Sequence, residues 1–307
     1  MKGKIRVGTR GSKLAVRQTE IAINALKSVC PDTEFEIKVI KTTGDTFWDR
    51  PLYEMRGKGF FIKEIEEALL SGEIDLAVHS MKDVPTEITK GLKIAAILKR
   101  EDPRDAFVSF DFKCLEELPE NSVVGTSSFR RLFQIEMLKK NIRVVPIRGN
   151  VETRIRKMKT ENLSGLILAY CGLKRLGLEK YAKSIIPREV IVPPAGQGAI
   201  GIEIREESEL FGILRAVNDE VTSKEVELER RIQMLIGGGC HVPFGVNVES
   251  CGEFFVLYAF YVAQGEKYPV IIREKAKWSD SLEFALYVAD RLKAPHIRGA
   301  KELDSLS

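Results

Sequence analysis

Over its first two-thirds the chain alternates short apolar runs with amphipathic segments, and this alternation restricts the fold more than any other feature. Alternating strands and helices favour α/β layers around a mostly parallel sheet. Ser12 is a suitable N-cap for the first helix. The elements predicted in the first part are strands at Lys4–Val7, Phe35–Ile40, Ile74–Val78 and Leu92–Leu98 and helices at Lys13–Lys27 and Phe60–Leu70.

The same pattern then starts again. The first pair of matching segments is "RVGTRGSKLAVRQ" (6–18) and "VVGTSSFRRLFQ" (123–134). The second pair, "EIDLAVHSMKD" (73–83) and "LSGLILAYCGLKR" (163–175), shares a buried strand followed by a polar or basic loop. Each member of the first pair is a strand, Val-Gly-Thr, small polar residues and a helix. The elements predicted here are strands at Ser122–Val124, Arg143–Ile147 and Leu166–Ala169 and helices at Phe129–Lys140 and Val151–Thr160. We therefore expect two similar α/β domains whose equivalent loops face each other across a cleft.

The last third has a different organisation. A long amphipathic helix is predicted at Asn218–Ile236, and Gly237 is placed to end it. The elements predicted after it are strands at Val246–Glu249, Phe254–Val262 and Tyr268–Arg273 and a helix at Ser281–Leu292. This segment predicts a smaller α+β domain.

Composition excludes several classes of function. The net charge is +4, and no basic stripe is interleaved with aromatic residues, so we expect no nucleic-acid partner. No apolar run approaches the roughly 18 residues that span a bilayer, and the N-terminus lacks the apolar core of a signal peptide. Five cysteines form no CxxC pair and three histidines show no ligand spacing. We expect a cytoplasmic protein with reduced thiols, no metal and no membrane partner.

Arginines stand at the starts of the predicted helices, where the helix dipole disfavours cations. Arg130 and Arg131 follow Thr126, Ser127 and Ser128, while Arg148 and Arg154 flank Gly149-Asn150 and Arg10 precedes Ser12. Any single arginine here could be a solvated surface charge. Five at three equivalent loops predict an anion-binding cleft. No GxxxxGK[ST] or GxGxxG motif follows a strand, which argues against a nucleotide, but carboxylate and phosphate ligands both remain open.

Three further segments carry candidate chemistry. Asp83, in "HSMKDVP" (79–85), follows a buried strand, and one carboxylate among cations could stabilise a cationic intermediate or move protons. The segment 42–61, which contains Lys58, is predicted to be either a lid or a linker. Cys240, in "GGGCHVP" (237–243), follows three glycines, which suits an exposed nucleophile or an attachment point better than burial. Attachment is favoured, while Cys30, Cys114 and Cys171 are expected to pack in the interior.

Together these stretches resemble the porphobilinogen deaminase family. The segments that carry the resemblance, in family order and spacing, are "GTRGSKLAVRQT", "TTGD", "GKGFFIKEIEEALL", "DLAVHSMKDVPT", "KREDPRDAFVS", "VGTSSFRR", "IRGNVETRIRK", "GLKRLG", "PPAGQGAIGIE" and "GGGCHVP". The resemblance implies two periplasmic-binding-protein-like α/β domains with a central cleft and a smaller C-terminal α+β domain. The implied domains are 1–98 with 197–217, then 99–196, then 218–307.

The resemblance also implies the chemistry. A dipyrromethane cofactor, held by a thioether to Cys240, would prime the addition of four porphobilinogen molecules, each losing ammonia, and hydrolysis would release hydroxymethylbilane for tetrapyrrole and haem biosynthesis. Asp83 would contact pyrrole N–H groups and stabilise the cationic centre. The residues implied to bind the acetate and propionate chains are Arg10, Ser12, Gln18, Lys58, Ser80, Lys82, Thr126, Ser127, Ser128, Arg130, Arg131, Arg148, Arg154 and Arg175. A monomer is expected.

Two rival functions belong to other classes. A two-lobed fold can bind anions without catalysis, because such folds also serve ligand sensing. A weaker rival is an acyltransferase with a cysteine nucleophile. A covalently held cofactor would distinguish the first rival from the enzyme, and the effect of Asp83→Asn would distinguish the second.

Overall fold

The computed structural model describes residues 4–42, 62–138, 141–237, 242–266 and 268–294. The strands are β1 Ile5–Arg10, β2 Phe35–Ile40, β3 Leu76–Ser80, β4 Leu92–Ile97, β5 Asp105–Val108, β6 Val123–Gly125, β7 Arg143–Val145, β8 Gly165–Ala169, β9 Ala182–Ile185, β10 Ile200–Arg205, β11 Phe244–Cys251, β12 Phe254–Tyr261 and β13 Val270–Lys277. The helices are α1 Lys13–Val29, α2 Lys63–Leu70, α3 Phe129–Leu138, α4 Val151–Thr160, α5 Tyr170–Arg175, α6 Phe211–Val217, α7 Glu220–Ile236 and α8 Ser281–Lys293.

Two five-stranded sheets share one topology. The first has the order β2-β1-β3-β10-β4 and the second has the order β7-β6-β8-β5-β9. In the first sheet β1 pairs in parallel with β2 and β3, and β10 runs antiparallel to both of its neighbours. In the second sheet β6 pairs in parallel with β7 and β8, and β5 runs antiparallel to both of its neighbours. The strands correspond one to one, so the predicted pair of similar α/β units is confirmed.

The antiparallel strand of each sheet connects the two units. After β4 the chain leaves the first sheet and enters the second as β5, and β10 later returns it to the first. These two strands and the edge strand β9 were not predicted. β5 has only four residues and begins with Asp105, and β10 contains Glu203, so their patterns lack the uninterrupted apolar run of a buried strand.

Capping explains where two helices begin and end. The Ser12 side chain accepts a hydrogen bond from the backbone N–H of Ala15 at 3.2 Å, which confirms it as the N-cap of α1. Gly237 ends α7 in the left-handed conformation with φ of 72°, as predicted. The helix begins later than predicted, at Glu220, because the Asp219 side chain caps it by accepting from the N–H of Thr222.

The third sheet is antiparallel, in the order β11-β12-β13, and is packed against α7 and α8. Its core includes Leu228 and Ile232 from α7 and Val288 from α8, with Val246 and Phe255 from the sheet. The predicted fold class, two α/β units with a smaller α+β unit, is therefore confirmed. None of the helices in the described ranges is both long enough and apolar enough to span a bilayer.

Candidate functional site

A cleft opens where the loops of the two five-stranded sheets meet. Its volume, about 300 Å³, falls in the range of small-molecule sites. The predicted site residues that line it are Arg10, Ser12, Gln18, Ser80, Lys82, Asp83, Ser127, Arg131, Arg148, Arg154 and Arg175. The structure therefore brings together residues separated by up to 165 positions in the chain, from Arg10 to Arg175.

The loop after β3 supplies the carboxylate of the cleft. The strand ends at Ser80, and a single 3-10 turn, Met81–Asp83, follows it. Met81 is buried and anchors the turn, whereas Asp83 is exposed toward the cleft. Ser80 and Gln18 exchange hydrogen bonds at 2.8 and 2.9 Å, which fixes the start of the turn against α1. The Asp83 carboxylate forms no hydrogen bond or ion pair within the described residues, so it can accept one from a ligand.

The opposite wall is cationic. Arg154 donates from Nε to the carbonyl oxygen of Gly149 at 2.7 Å, which holds its guanidinium over the start of α4. Burial, together with repulsion from Arg131 and Arg148, lowers the pKa of Arg154 to about 10. This lowered pKa means that the charge of Arg154 is less stabilised in the cleft than it would be in water, and a nearby anion would offset the shift.

Arg175 adds a second destabilised cation. Burial lowers the pKa of this guanidinium, and electrostatic interaction with the neighbouring Cys171 and Glu101 side chains offsets the effect only in part. One terminal nitrogen donates to the carbonyl oxygen of Gly198 at 2.5 Å, while the buried Nε has no hydrogen-bond partner among the described residues. A buried donor without a partner is costly, and a carboxylate ligand would satisfy it.

Three predicted residues within the described ranges do not line the cleft, namely Thr126, Ser128 and Arg130. Arg130 is turned inward and donates to Asp105 at 2.7 Å and to the carbonyl oxygen of Val192. Thr126 is buried, and its hydroxyl accepts from the backbone N–H of Ser128 at 3.3 Å. Their polar groups bond to these local partners, which sequence spacing alone does not reveal.

A buried carboxylate missed by the sequence analysis organises this side of the cleft. Asp105 has no solvent exposure and accepts from Arg130, from Arg131 twice and from Gln197. Burial alone would raise the pKa of Asp105, but attraction to Arg130 and Arg131 outweighs it and holds that pKa well below its usual range. The signal was available: an aspartate that begins the buried strand "DAFV" requires a cationic partner.

Other predicted residues have different outcomes. Lys58 and Cys240 lie outside the described residues, as does nearly all of the 42–61 segment. Cys171 is buried as predicted and also borders the cleft, whereas Cys30 and Cys114 are only half-buried. No group of three or more His, Cys, Asp or Glu in the described ranges is arranged to hold a metal ion.

The arrangement suits a ligand that carries several carboxylates and develops a positive charge. Arg148, Arg154 and Arg175 provide donors for anionic groups. Glu152 also lines the cleft, but its charge is paired with Lys13 at 3.0 Å across the opening. Asp83 is thus the carboxylate available to a cationic centre among the lining residues that the structure describes.

Comparison with known proteins agrees with this chemistry. Residues 5–211 match the family model described as "Porphobilinogen deaminase, dipyromethane cofactor binding domain". The chain is 48% identical over 250 residues to the porphobilinogen deaminase of Alkaliphilus metalliredigens, covering 81% of this chain and 79% of that protein. It is 44% identical to that of Oceanobacillus iheyensis, covering 98% and 96% of the two chains.

A third relative, the porphobilinogen deaminase of Campylobacter hominis, is 41% identical and covers 98% of this chain and 97% of its own length. Among solved structures, the methionine binding protein MetQ is similar with a TM-score of 0.44 and 15% identity, covering 72% of this chain and 92% of that one. A likeness of that size adds no weight to the fold, which the three sheets establish directly. The sequence matches extend over nearly the whole chain, and the chain belongs to the porphobilinogen deaminase family.

Proposed function

We propose that this chain deaminates four porphobilinogen molecules and joins them head to tail onto a dipyrromethane primer, releasing hydroxymethylbilane for tetrapyrrole and haem biosynthesis. The observation that carries the assignment of roles is the exposed carboxylate of Asp83 facing a cleft lined by arginines. Each porphobilinogen carries an acetate and a propionate, so a growing chain needs many cationic partners. The reacting carbon becomes cationic as ammonia leaves, so it needs one anionic partner.

The described residues fit a dipyrromethane. Two pyrroles bring four carboxylates, and the cleft offers Arg10, Arg148, Arg154, Arg175 and Lys82. Bound carboxylates would raise the lowered pKa of Arg154 and would give the buried Nε of Arg175 the acceptor that it lacks among the described residues. When bound, the dipyrromethane supplies a nucleophilic pyrrole carbon and a covalent anchor for the growing chain.

Asp83 has the central role in the mechanism. Its carboxylate accepts hydrogen bonds from the pyrrole N–H of the substrate and stabilises the cation that forms as the ammonia leaves. Lys82 and the arginines hold the carboxylates of the substrate, which orients its reacting carbon. Ser12, Ser80 and Ser127 add neutral hydroxyl groups on the two sides of the cleft. Lys58 is part of the proposed binding set but lies outside the described residues.

Roles are also proposed for the residues that do not line the cleft. Arg130 maintains the charge balance of Asp105, and Thr126 and Ser128 shape the turn before α3. Arg131 shares the Asp105 carboxylate and still borders the cleft, so it serves both as a support and as a ligand-binding residue.

Cys240 is the proposed attachment residue. It lies outside the described residues, three positions after Gly237 at the end of α7. Three extended residues reach roughly 10 Å. After this segment the chain comes close to the connection between the two lobes, where Gly245 packs against the carbonyl oxygens of Val192 and Pro193. The segment that holds Cys240 thus follows the end of α7, and the chain after it returns to the connection between the lobes.

Intact-protein mass spectrometry tests the attachment. Protein from cells with a working tetrapyrrole pathway should carry the mass of two linked pyrrole units, and Cys240→Ser should lose it. Cys171→Ser is the matched control, because Cys171 borders the cleft and should leave the added mass in place. Loss of the mass from the control alone would transfer the attachment to Cys171. An unmodified, inactive wild-type protein would support the non-catalytic anion-binding alternative.

The proposal also covers the organisation of the chain. The domains are 1–98 with 197–217, then 99–196, then 218–307, and the protein is a cytoplasmic monomer. The two crossings at β5 and β10 support the first two boundaries. Light scattering after size exclusion at micromolar concentration tests the monomer, and a dimer mass would contradict it.

A further inference from the structure

A turn between the two lobes lies directly against the loop that carries Asp83. The turn, 194–198, includes Gly196 and Gly198, both with positive φ, of 70° and 91°. A Cβ at Gly196 would lie 2.8 Å from Cβ of Met81 and 3.1 Å from the backbone nitrogen of Lys82. No side chain larger than hydrogen fits between the turn and the loop, so the two backbones are in contact.

Gln197, between these glycines, is held firmly in this turn. Gln197 has no solvent exposure, and its backbone carbonyl oxygen accepts a hydrogen bond from Nε of Arg100 at 2.9 Å. The next carbonyl oxygen, that of Gly198, accepts from Arg175 at 2.5 Å and from the N–H of Glu101 at 3.1 Å. The backbone carbonyls of Gln197 and of the residue after it are thereby fixed by bonds to two arginines.

The hydrogen bonds of the Gln197 amide determine which way its oxygen points. The amide nitrogen donates to the carbonyl oxygen of Pro103 at 2.6 Å and to Oδ1 of Asp105 at 2.8 Å. Rotating the amide by half a turn would place its oxygen against two acceptors, so the opposite orientation is excluded. With both amide protons used, Oε1 faces Nζ of Lys82 at 3.5 Å.

Lys82 is therefore connected to the arginines of the second sheet through one buried amide. Gln197 contacts Lys82 from one side and Asp105 from the other, and Asp105 binds Arg131 through two hydrogen bonds. At 3.5 Å the contact between Lys82 Nζ and Gln197 Oε1 is at the long end of hydrogen bonding, so it orients the lysine side chain more than it stabilises the fold. The orientation of this side chain matters because Lys82 is next to Asp83 in the 3-10 turn.

We propose that Gln197 is a positioning residue, which holds the Lys82 ammonium in register with the Asp105–Arg131 pair so that cations from both lobes meet the carboxylates of one substrate. The inference rests on the proposed function, because it assumes that Lys82 binds a substrate carboxylate. Gln197 does not touch substrate in this role. Its effect on turnover passes through Lys82.

A double-mutant cycle tests this dependence, with kcat/KM for porphobilinogen as the readout and the melting temperature measured in parallel. Lys82→Met should lower kcat/KM about tenfold, and Gln197→Met about fivefold, as expected for a weakened contact with a charged group. In the Lys82→Met background, Gln197→Met should cost less than about twofold, because its route to the substrate is already lost.

Gln134→Met is the matched control. Gln134 is also a buried glutamine, and its amide bonds to the backbone of Arg130 and Val192 rather than to Lys82. Any effect of Gln134→Met should be the same factor in both backgrounds. If Gln197→Met does not fold, Gln197→Asn replaces it, since an amide one methylene shorter leaves Lys82 without its acceptor and predicts the same non-additivity.

The outcomes separate this inference from the proposed function. Equal factors for Gln197→Met in both backgrounds, with a matching fall in melting temperature, would assign Gln197 a purely structural role and overturn the inference. An unchanged kcat/KM in Lys82→Met would overturn it as well, while the attached cofactor and turnover of the wild type would leave the proposed function intact. A wild type without cofactor and without turnover would overturn both.

Discussion

Replacing Asp105 by asparagine should be among the most damaging single changes in the second sheet. The carboxylate accepts at 2.7 Å from Arg130, at 2.7 and 3.1 Å from Arg131, and at 2.8 Å from Gln197. These four bonds divide equally between its two oxygens. Asparagine keeps one oxygen and turns an NH₂ group toward donors, so two of the four bonds are lost.

The magnitude follows from those contacts. Two hydrogen bonds to a charged group contribute about 1.5–3 kcal/mol each. Removing one partner of a buried ion pair costs about 3–5 kcal/mol, because the remaining charge stays buried. We therefore expect Asp105→Asn to lower the free energy of unfolding by about 3–5 kcal/mol near pH 7.

Asp75→Asn is the matched control. Asp75 forms a comparable bidentate pair with Arg6, but the two side chains are 23% and 37% exposed. Solvent screens such a pair, and its loss should cost about 1 kcal/mol or less. Urea unfolding followed by circular dichroism measures both differences from the shift in midpoint. A cost below about 1 kcal/mol for Asp105→Asn, or equal costs for the two variants, would refute the reasoning.

The pH dependence supplies a second check on Asp105. Its pKa in the folded protein is lowered, so its contribution is complete above the unfolded value, about 3.9, and is lost as pH falls through the folded value. The stability difference between wild type and Asp105→Asn should therefore be flat from neutral pH to about pH 5 and shrink only under stronger acid. A difference that disappears already near pH 6 would assign the effect to another group.

Two further predictions concern the catalytic loop. Asp83→Asn should lower kcat by at least about a hundredfold while the added mass of the cofactor remains, because the role of Asp83 is to stabilise a developing cation. Wild-type turnover in this variant would remove Asp83 from the mechanism and favour the cysteine-nucleophile acyltransferase. Gly196→Ala should destabilise the protein and reduce kcat/KM, since its Cβ would lie 2.8 Å from Cβ of Met81. Gly177→Ala is the control: Gly177 has a φ of 67° and no atom within 4 Å of the added Cβ, so the substitution should cost only about 1 kcal/mol of backbone strain. Equal melting temperatures and activities for the two variants would contradict the contact between Gly196 and Met81.

Local features of the fold could be predicted because their causes are local. Ser12 caps α1 through its own side chain three residues away, and Gly237 ends α7 because it adopts a positive φ. The repeated strand, Val-Gly-Thr and helix pattern identified the two equivalent units, and the sheets confirmed it. The strands that cross between the units, β5 and β10, escaped prediction because partners far away in the chain determine their burial.

The candidate site also has features that could be predicted from the sequence and features that could not. By itself the sequence determined the family, the chemical character of the cleft and the residues that line most of it, because clustered arginines and one loop aspartate are visible in order along the chain. Only the tertiary structure decided that Arg130 turns inward while Arg131 borders the cleft. It also decided that Asp105 and Gln197 link the arginine wall to Lys82. These assignments depend on which buried donor bonds to which acceptor, and Asp105 and Gln197 are 92 positions apart in the chain. The local pattern of residues cannot predict a pairing over that separation.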